Sequence, residues 1–268
     1  MIKINSKSCE EKRLSALADK VLSDFKTRRE ERKSLEEQWK LNLNYLAGNQ
    51  YCEISPTGEV REENKYYGWQ SRSVFNHVAP IIDTRLAKLT RVRPKMSVRA
   101  SGSMEDDLKT AQISTDILNS TYHRKELDRL ISKATSWSET CGSAFYKITW
   151  DNNLGKKIGE KDGKPVYEGD IKIDAIPPFE IFPDNLYYTE ISELKSIIHA
   201  RAISVAEAYE KYGVELNGED IDVFTLSNSG ASYNGGYKEK KVSMTLKNHV
   251  LIIERYERES KDYPNGSL

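Results

Sequence analysis

The sequence predicts an α+β fold, with a helical N-terminal half packed on a mainly antiparallel β region. Three observations carry that expectation. Apolar residues recur at helical spacing through most of residues 14–141, and the period changes to two after Gly142. Between strand-like runs, residues 176–185 read IPPFEIFPDN and set three large apolar groups among three prolines. Such a segment lies extended, because Pro177 and Pro178 cannot donate to a ladder and each restricts the residue before it. Phe179, Ile181 and Phe182 nevertheless need burial, and Pro183 opens a turn. The stretch from Pro177 to Pro183 therefore reads as a packing and docking segment without catalytic chemistry.

The elements follow in order. Leu14, Leu17, Val21 and Phe25 form a first helical stripe, and Leu35, Trp39, Leu43 and Leu46 a second that Gly48 ends. Between them KTRREERK (26–33) alternates in sign and reads as a solvated or intersubunit helix face. Residues 49–75, with SPTGE and KYYGW, suggest turns and short extended pieces. From Asn76 an amphipathic helix carries Val78, Ile81, Ile82, Leu86 and Leu89 and must end before Pro94. KMSVRAS (95–101) reads as a short strand. Two helices follow, one with Leu108, Ala111, Leu118 and Tyr122, the other with Leu127, Leu130, Ile131, Ala134, Trp137 and Cys141.

Beyond Gly142, AFYKITW alternates Ala144, Tyr146, Ile148 and Trp150 against Phe145, Lys147 and Thr149, a half-buried strand. DNNLGKKIGEKDGK is a polar hairpin loop, and VYEGDIKIDAI returns as the partner strand. LKSIIHARAI is a further strand; Ser204 and Glu207 form a capping box for a short helix closed by Gly213. An acidic patch (Glu215, Glu219, Asp220, Asp222) leads into residues 227–241, whose turn-rich composition suggests mobility. The last element, HVLIIERYERES, is a strand followed by a turn, KDYPNGSL. A terminal strand with an unpaired edge is a liability, so the expectation is the N-terminal part of a longer chain.

Composition narrows the class. The 268 residues suffice for one large domain or two of ordinary size. Apolar residues make up 38% and charged residues 31%, but 15 Tyr, 6 Phe and 4 Trp are too many aromatics for a disordered chain. With 41 basic and 41 acidic residues the formal charge is zero, so no global field draws the protein to nucleic acid or membrane. The three cysteines, Cys9, Cys52 and Cys141, are scattered and read as reduced thiols. The N-terminus has no apolar signal core, and no apolar run approaches the roughly 20 residues of a membrane span. The expectation is a protein soluble and intracellular when made.

The sequence carries no recognisable catalytic motif. There is no GxxxxGK[ST], no HExxH and no His/Cys cluster; His77, His123, His199 and His249 are far apart. TCGSAF holds a Cys and a Ser beside Gly142, which reads as a helix-to-strand junction around a buried thiol before it reads as a nucleophile. Asp106 and Asp107 sit at a helix start, where they complement the dipole. The expectation is no enzyme, no catalytic or metal residues and no cofactor. One charge cluster stands out: residues 84–104 hold no acid, while Arg85, Lys88, Arg91, Arg93, Lys95 and Arg99 fall within them. Such a run suits a polyanion path or an intersubunit contact. It also suits pairing with the acidic EERKSLEE helix.

Four pieces in order carry a resemblance: WKLNLNYLAGNQY, NHVAPIIDTRLAKLTRVRPKMSVRAS, ATSWSETCGSAFYKITWD and IPPFEIFPDN. From about residue 30 to 258 the series resembles the N-terminal half of tailed-bacteriophage portal proteins, the head-to-tail connectors. The resemblance implies a wing-like α+β region: an N-terminal helical segment (1–48), a helical layer (49–141) and a β-rich part (142–268) continuing into stem, clip and crown. It implies a ring, usually of twelve subunits, at one capsid vertex of the virion, assembled in the host cytoplasm. Its partners would be its own copies, the major capsid or scaffold protein, the large terminase subunit, head-completion and tail adaptor proteins, and double-stranded DNA passing through the channel during packaging and ejection, with no membrane. The alternative from a different class is a nucleic-acid-binding or -processing module that uses the 85–99 run.

Overall fold

The computed structural model describes residues 3–55, 60–62, 73–92, 95–161, 163–226, 242–260 and 264–268. Among them, six α-helices and ten strands form an α+β fold with antiparallel sheets. Contacts divide the chain into two compact units: residues 1–76 together with 179–268, and residues 77–178 inserted between them in sequence. That division follows packing, whereas boundaries after residues 48 and 141 mark changes of element type.

Helix α1 (Lys3–Glu31) passes into α2 (Lys33–Ala47) almost without a break. At the junction Arg32 N–H still donates to Arg28 O and Glu36 N–H to Arg32 O, both at 3.0 Å. One buried stripe runs along both helices: Phe25, Arg28, Arg32, Trp39, Leu43 and Leu46. Two expectations change here. Leu14 and Leu17 stand exposed, since no described residue covers them. Arg28 and Arg32, read from KTRREERK as part of a solvated or intersubunit face, are only 6% and 2% exposed. Gly48 ends α2 at φ 99°, its N–H turned back onto the last carbonyls. Strands β1 (Cys52–Ile54) and β2 (Val60–Glu62) pair beside α2, tied by Tyr45 O–H donating to Cys52 O at 3.1 Å. Asn76 closes this run of chain by donating from Nδ2 to Leu46 O at 2.9 Å. The KYYGW stretch and most of SPTGE lie outside the described residues.

The inserted unit opens with α3 (Val78–Leu89), α4 (Glu105–Arg124) and α5 (Leu127–Cys141). Helix α5 carries the buried face, Ala134, Trp137 and Cys141, and touches both other helices. Helix α3 buries no residue, and on α4 only Ala111 and Tyr122 are buried while Leu108 and Leu118 are exposed. KMSVRAS forms no strand. It has no ladder partner among the described residues, and Val98 N–H is instead taken by Thr115 Oγ1 of α4 at 2.9 Å.

Gly142, at φ 82°, turns α5 into β3 (Phe145–Asp151). This strand pairs in full register with β6 (Asp170–Ile176), and between them β4 (Lys157–Lys161) and β5 (Lys164–Tyr167) extend the loop into a second two-stranded ladder. The face of β3 expected to be covered is open: Ile148 is 68% and Trp150 62% exposed. Within the unit α5 meets the ribbon at β6, and alternation in the sequence does not reveal which face stays open.

The chain re-enters the first unit at Phe179 within a 3-10 turn, Pro178–Glu180, so the proline-framed segment expected to lie extended does so only from Ile181. Strands β7 (Ile181–Pro183), β8 (Ser196–Ser204), β9 (Glu219–Phe224) and β10 (Ser243–Glu257) make an antiparallel sheet in the order β7-β8-β10-β9. Helix α6 (Val205–Tyr212) starts where Ser204 Oγ accepts Glu207 N–H at 3.2 Å, as its capping box requires. HVLIIERYERES is paired along one side; on its other side the described residues pair it only at His249, with Glu219, and at Glu257, with Ser267. As the C-terminal part of β10 it pairs with β8, and the N-terminal part of β10 pairs with β9. Strand β9 comes from the acidic patch, whose EDIDVF alternation places Ile221 between Asp220 and Asp222 and Val223 directly after them. The turn-rich stretch 227–241 lies outside the described residues. After β10 the chain turns back, and Ser267 bridges Glu257 through N–H···O bonds of 2.8 and 3.1 Å. The core of the unit joins Phe25 of α1 to Phe182, Ile198 and Ala200 of the sheet, with Ile253 against them. No helix among the described residues is long and apolar enough to cross a membrane.

Burial pushes the Cys141 thiol up to about 12, so it stays protonated at neutral pH. In native protein at pH 8, Cys141 is expected to resist alkylation. Mass-spectrometric mapping of iodoacetamide adducts should find it labelled only with denaturant, after the half-buried Cys52.

Candidate functional site

The proline-framed segment is held by two arginines that reach it from the helices. Arg28 uses all of its donors. Nε and Nη2 bind Asp24 at 3.1 and 2.8 Å, and Nη1 donates to Phe182 O at 3.1 Å and Ser196 O at 3.2 Å. A second bond from Nη2 reaches Ser196 Oγ at 2.6 Å. Five N–H groups thus meet five acceptors, the full capacity of a guanidinium. One helical turn on, Arg32 donates from Nη1 to Ile181 O and from Nη2 to Phe179 O at 2.9 Å and Glu36 Oε2 at 3.2 Å. Its guanidinium also lies 3.7 Å from the Phe182 ring centroid.

The side chains of the segment fill what the arginines leave. Phe182 meets Phe25 edge to face at 4.8 Å. Phe179 meets Trp39 edge to face at 5.3 Å and stacks on Phe224 of β9 at 4.5 Å. Ile181 and Phe182 are buried within β7, whose third residue, Pro183, sits on an edge strand where its missing N–H costs no ladder bond. Pro178 is buried and Pro177 half-buried at the end of the inserted unit. Between the aromatics, Glu180 Oε2 lies 3.2 Å from Nε2 of His199, and Glu254 Oε2 lies 3.3 Å from its Nδ1. Tyr256 O–H donates to the same Glu254 oxygen at 2.9 Å.

Electrostatics supports the clamp. Burial pulls the Arg32 guanidinium down from its ordinary value and Glu36 opposes the shift, so the group stays a cation at neutral pH. Burial pushes the Glu36 carboxyl up, but hydrogen bonds and charges from Lys40 and Arg32 outweigh it, leaving its pKa below the ordinary value. The arrangement binds and positions backbone. Among the described residues no group of three His, Cys, Asp or Glu side chains could hold a metal ion.

The basic run lies elsewhere. Arg85, Lys88, Arg91, Lys95 and Arg99 are exposed, and Arg93 lies outside the described residues. Arg85 makes a two-pronged bond to Glu139 of α5, at 2.6 and 3.0 Å, which lowers the carboxyl pKa of Glu139. Asp106 and Asp107 fall in the first turn of α4. Sequence reasoning missed Arg28 and Arg32. Their signal was position: 25, 28, 32, 39, 43 and 46 keep one helical face, and two of those places are occupied by arginine.

A site of backbone carbonyls, aromatic rings and buried guanidinium groups defines a structural docking device. A family model described as phage P22-like portal protein matches residues 22–264, a span that includes both arginines and all of the sheet. No curated protein matches the chain. The chain belongs to the phage P22-like portal protein family, a structural family of bacteriophage and not a family of enzymes.

Two outcomes test the clamp. Arg32→Lys leaves one compact ammonium where a planar fork met three oxygens and a ring, and should cost about 3 kcal/mol in chemical denaturation; Phe182→Ala should cost a similar amount through the cavity it opens, about 3–5 kcal/mol. For pH the sign follows from Glu36, which binds its proton more weakly folded than unfolded. The stability advantage of wild type over Glu36→Gln should hold fully above about pH 5 and shrink as acid carries the pH down through the ordinary carboxylate range and below it. Urea titrations from pH 7 to 3 read that difference.

Proposed function

We propose that this chain is a non-catalytic subunit of a portal ring at one vertex of a phage capsid. The ring would surround the conduit for double-stranded DNA during packaging and ejection, and would carry the terminase and then the head-completion and tail proteins. Membership of the portal family over residues 22–264 is the observation that supports this reading most. In this reading residues 49–141 and 142–268 belong to the wing region, following residues 1–48.

Two physical features agree with it. A conduit subunit must keep its shape while a polymer moves past, and a backbone segment fixed by two buried guanidinium groups resists local opening. A net charge of zero also suits a wall along which a polyanion slides without being gripped, since phosphate affinity grows with every cation presented.

A second reading draws on one observation: Lys88, Arg91, Lys95 and Arg99 are exposed and form no ion pair among the described residues. They would suit a nucleic-acid-binding module, whose affinity must fall steeply with added salt. Light scattering on a size-exclusion column, with the protein expressed at full length, separates the two. A discrete ring of about a dozen copies is the expected outcome for a closed cyclic assembly. A monomer at high concentration that binds DNA in a salt-sensitive way overturns the portal reading.

A further inference from the structure

Helix α3 presents a face that is buried by no described residue of its unit. Val78, Ile81, Arg85, Lys88 and Leu89 fall at i, i+3, i+7, i+10 and i+11, which places them on one side of the helix. All five are exposed, Ile81 by 60% and Leu89 by 53%. The cations continue past the helix with Arg91, Lys95 and Arg99. Apart from the Arg85–Glu139 pair, these charges meet no carboxylate among the described residues. Of the acids in EERKSLEE, Glu36 is already held by Arg32 at 3.2 Å and Lys40 at 2.9 Å.

The chain carries an opposite surface. Between Lys211 and Lys238 there is no basic residue, and Glu215, Glu219, Asp220 and Asp222 lie within that span. All four are exposed, the last three on β9, an outer strand of its sheet. None of them is in an ion pair among the described residues. A charged edge of this kind repels strand addition and leaves its side chains for another use. A chain of zero net charge thus carries one stretch of unopposed cations and one of unopposed carboxylates.

We propose that the α3 face, with Lys95 and Arg99 beyond it, docks on the acidic β9 edge of a second copy of this chain. Head-to-tail contacts, unlike two-fold ones, require two different and complementary patches on every copy, and such contacts close into rings. Charge complementarity selects the copy as the occupant, and Ile81 and Leu89 supply apolar area at the centre of a charged rim. The proposal rests on the ring reading above and adds to it which surfaces meet.

Charge reversal tests it at positions whose side chains are exposed. Lys88→Glu, Arg91→Glu and Lys95→Glu form one triple variant; Glu215→Lys, Glu219→Lys and Asp220→Lys form the other. Each is expected to keep the circular dichroism of the parent and to raise the concentration needed for assembly by about 100-fold or more, because like charges then face each other. The chain carrying all six reversals should assemble again. If the parent forms rings and either triple variant does so equally well, the proposal falls while the ring reading stands. It falls too if the six-fold variant fails to recover, or if the first triple variant still forms rings and loses only salt-sensitive DNA binding. A parent that never assembles removes the ring reading, and the proposal with it.

Discussion

A guanidinium taken out of water needs acceptors for its N–H groups, and the first unit is arranged around that demand, met in full at Arg28 and by three oxygens at the terminal nitrogens of Arg32. The cost of burying a charge runs to several kcal/mol and is recovered only with near-complete hydrogen bonding. Here the acceptors are the carbonyls of Phe179, Ile181, Phe182 and Ser196, the hydroxyl of Ser196, and the carboxylates of Asp24 and Glu36. Both carboxylates sit one helical turn from their arginine, so α1 and α2 supply the neutralising charge and the sheet supplies the dipoles. The helices therefore cannot slide along the sheet without breaking several bonds at once.

The prolines belong to the same arrangement. A segment with few N–H groups of its own offers carbonyls with little competition for them, and Pro178 opens a single tight turn, Pro178–Glu180, before the chain extends through Ile181–Pro183. Phe179 and Phe182 point their rings to the places where Trp39, Phe224 and Phe25 complete the packing. Glu180, between them, is drawn to His199 of the neighbouring strand. Each kind of group in IPPFEIFPDN thus has a different partner: the carbonyls meet arginine, the rings meet aromatics, and the carboxylate meets histidine.

Much of this was legible in the residues, and the failures share a cause. Periodicity located α2, α5, β3, β6, β8 and α6, and glycines at 48 and 142 marked two helix ends, because those signals are local. Periodicity also says that a face is apolar, but not what lies opposite. So the faces of α3, α4 and β3 were expected to be covered and are open, and Leu14 and Leu17 likewise. Strand β9 hid behind its acids, although EDIDVF alternates. The position of β10 within its sheet could not be read at all, since pairing with β8 and β9 is a long-range choice. Arg28 and Arg32 were hidden by their type: charge suggested solvent, while spacing placed them with Phe25 and Trp39.

The insertion of residues 77–178 into the first unit has a consequence for how the protein is made. Arg28 and Phe182, which share a hydrogen bond, are 154 residues apart in the chain. At the usual pace of synthesis the helices wait about 8–30 s for the strands that cover them. Throughout that interval Phe25 lacks Phe182 and Trp39 lacks Phe179, while the inserted unit emerges. The two arginines beside them lack their carbonyl acceptors for just as long, so the bonds that lock the finished unit are among the last it can make.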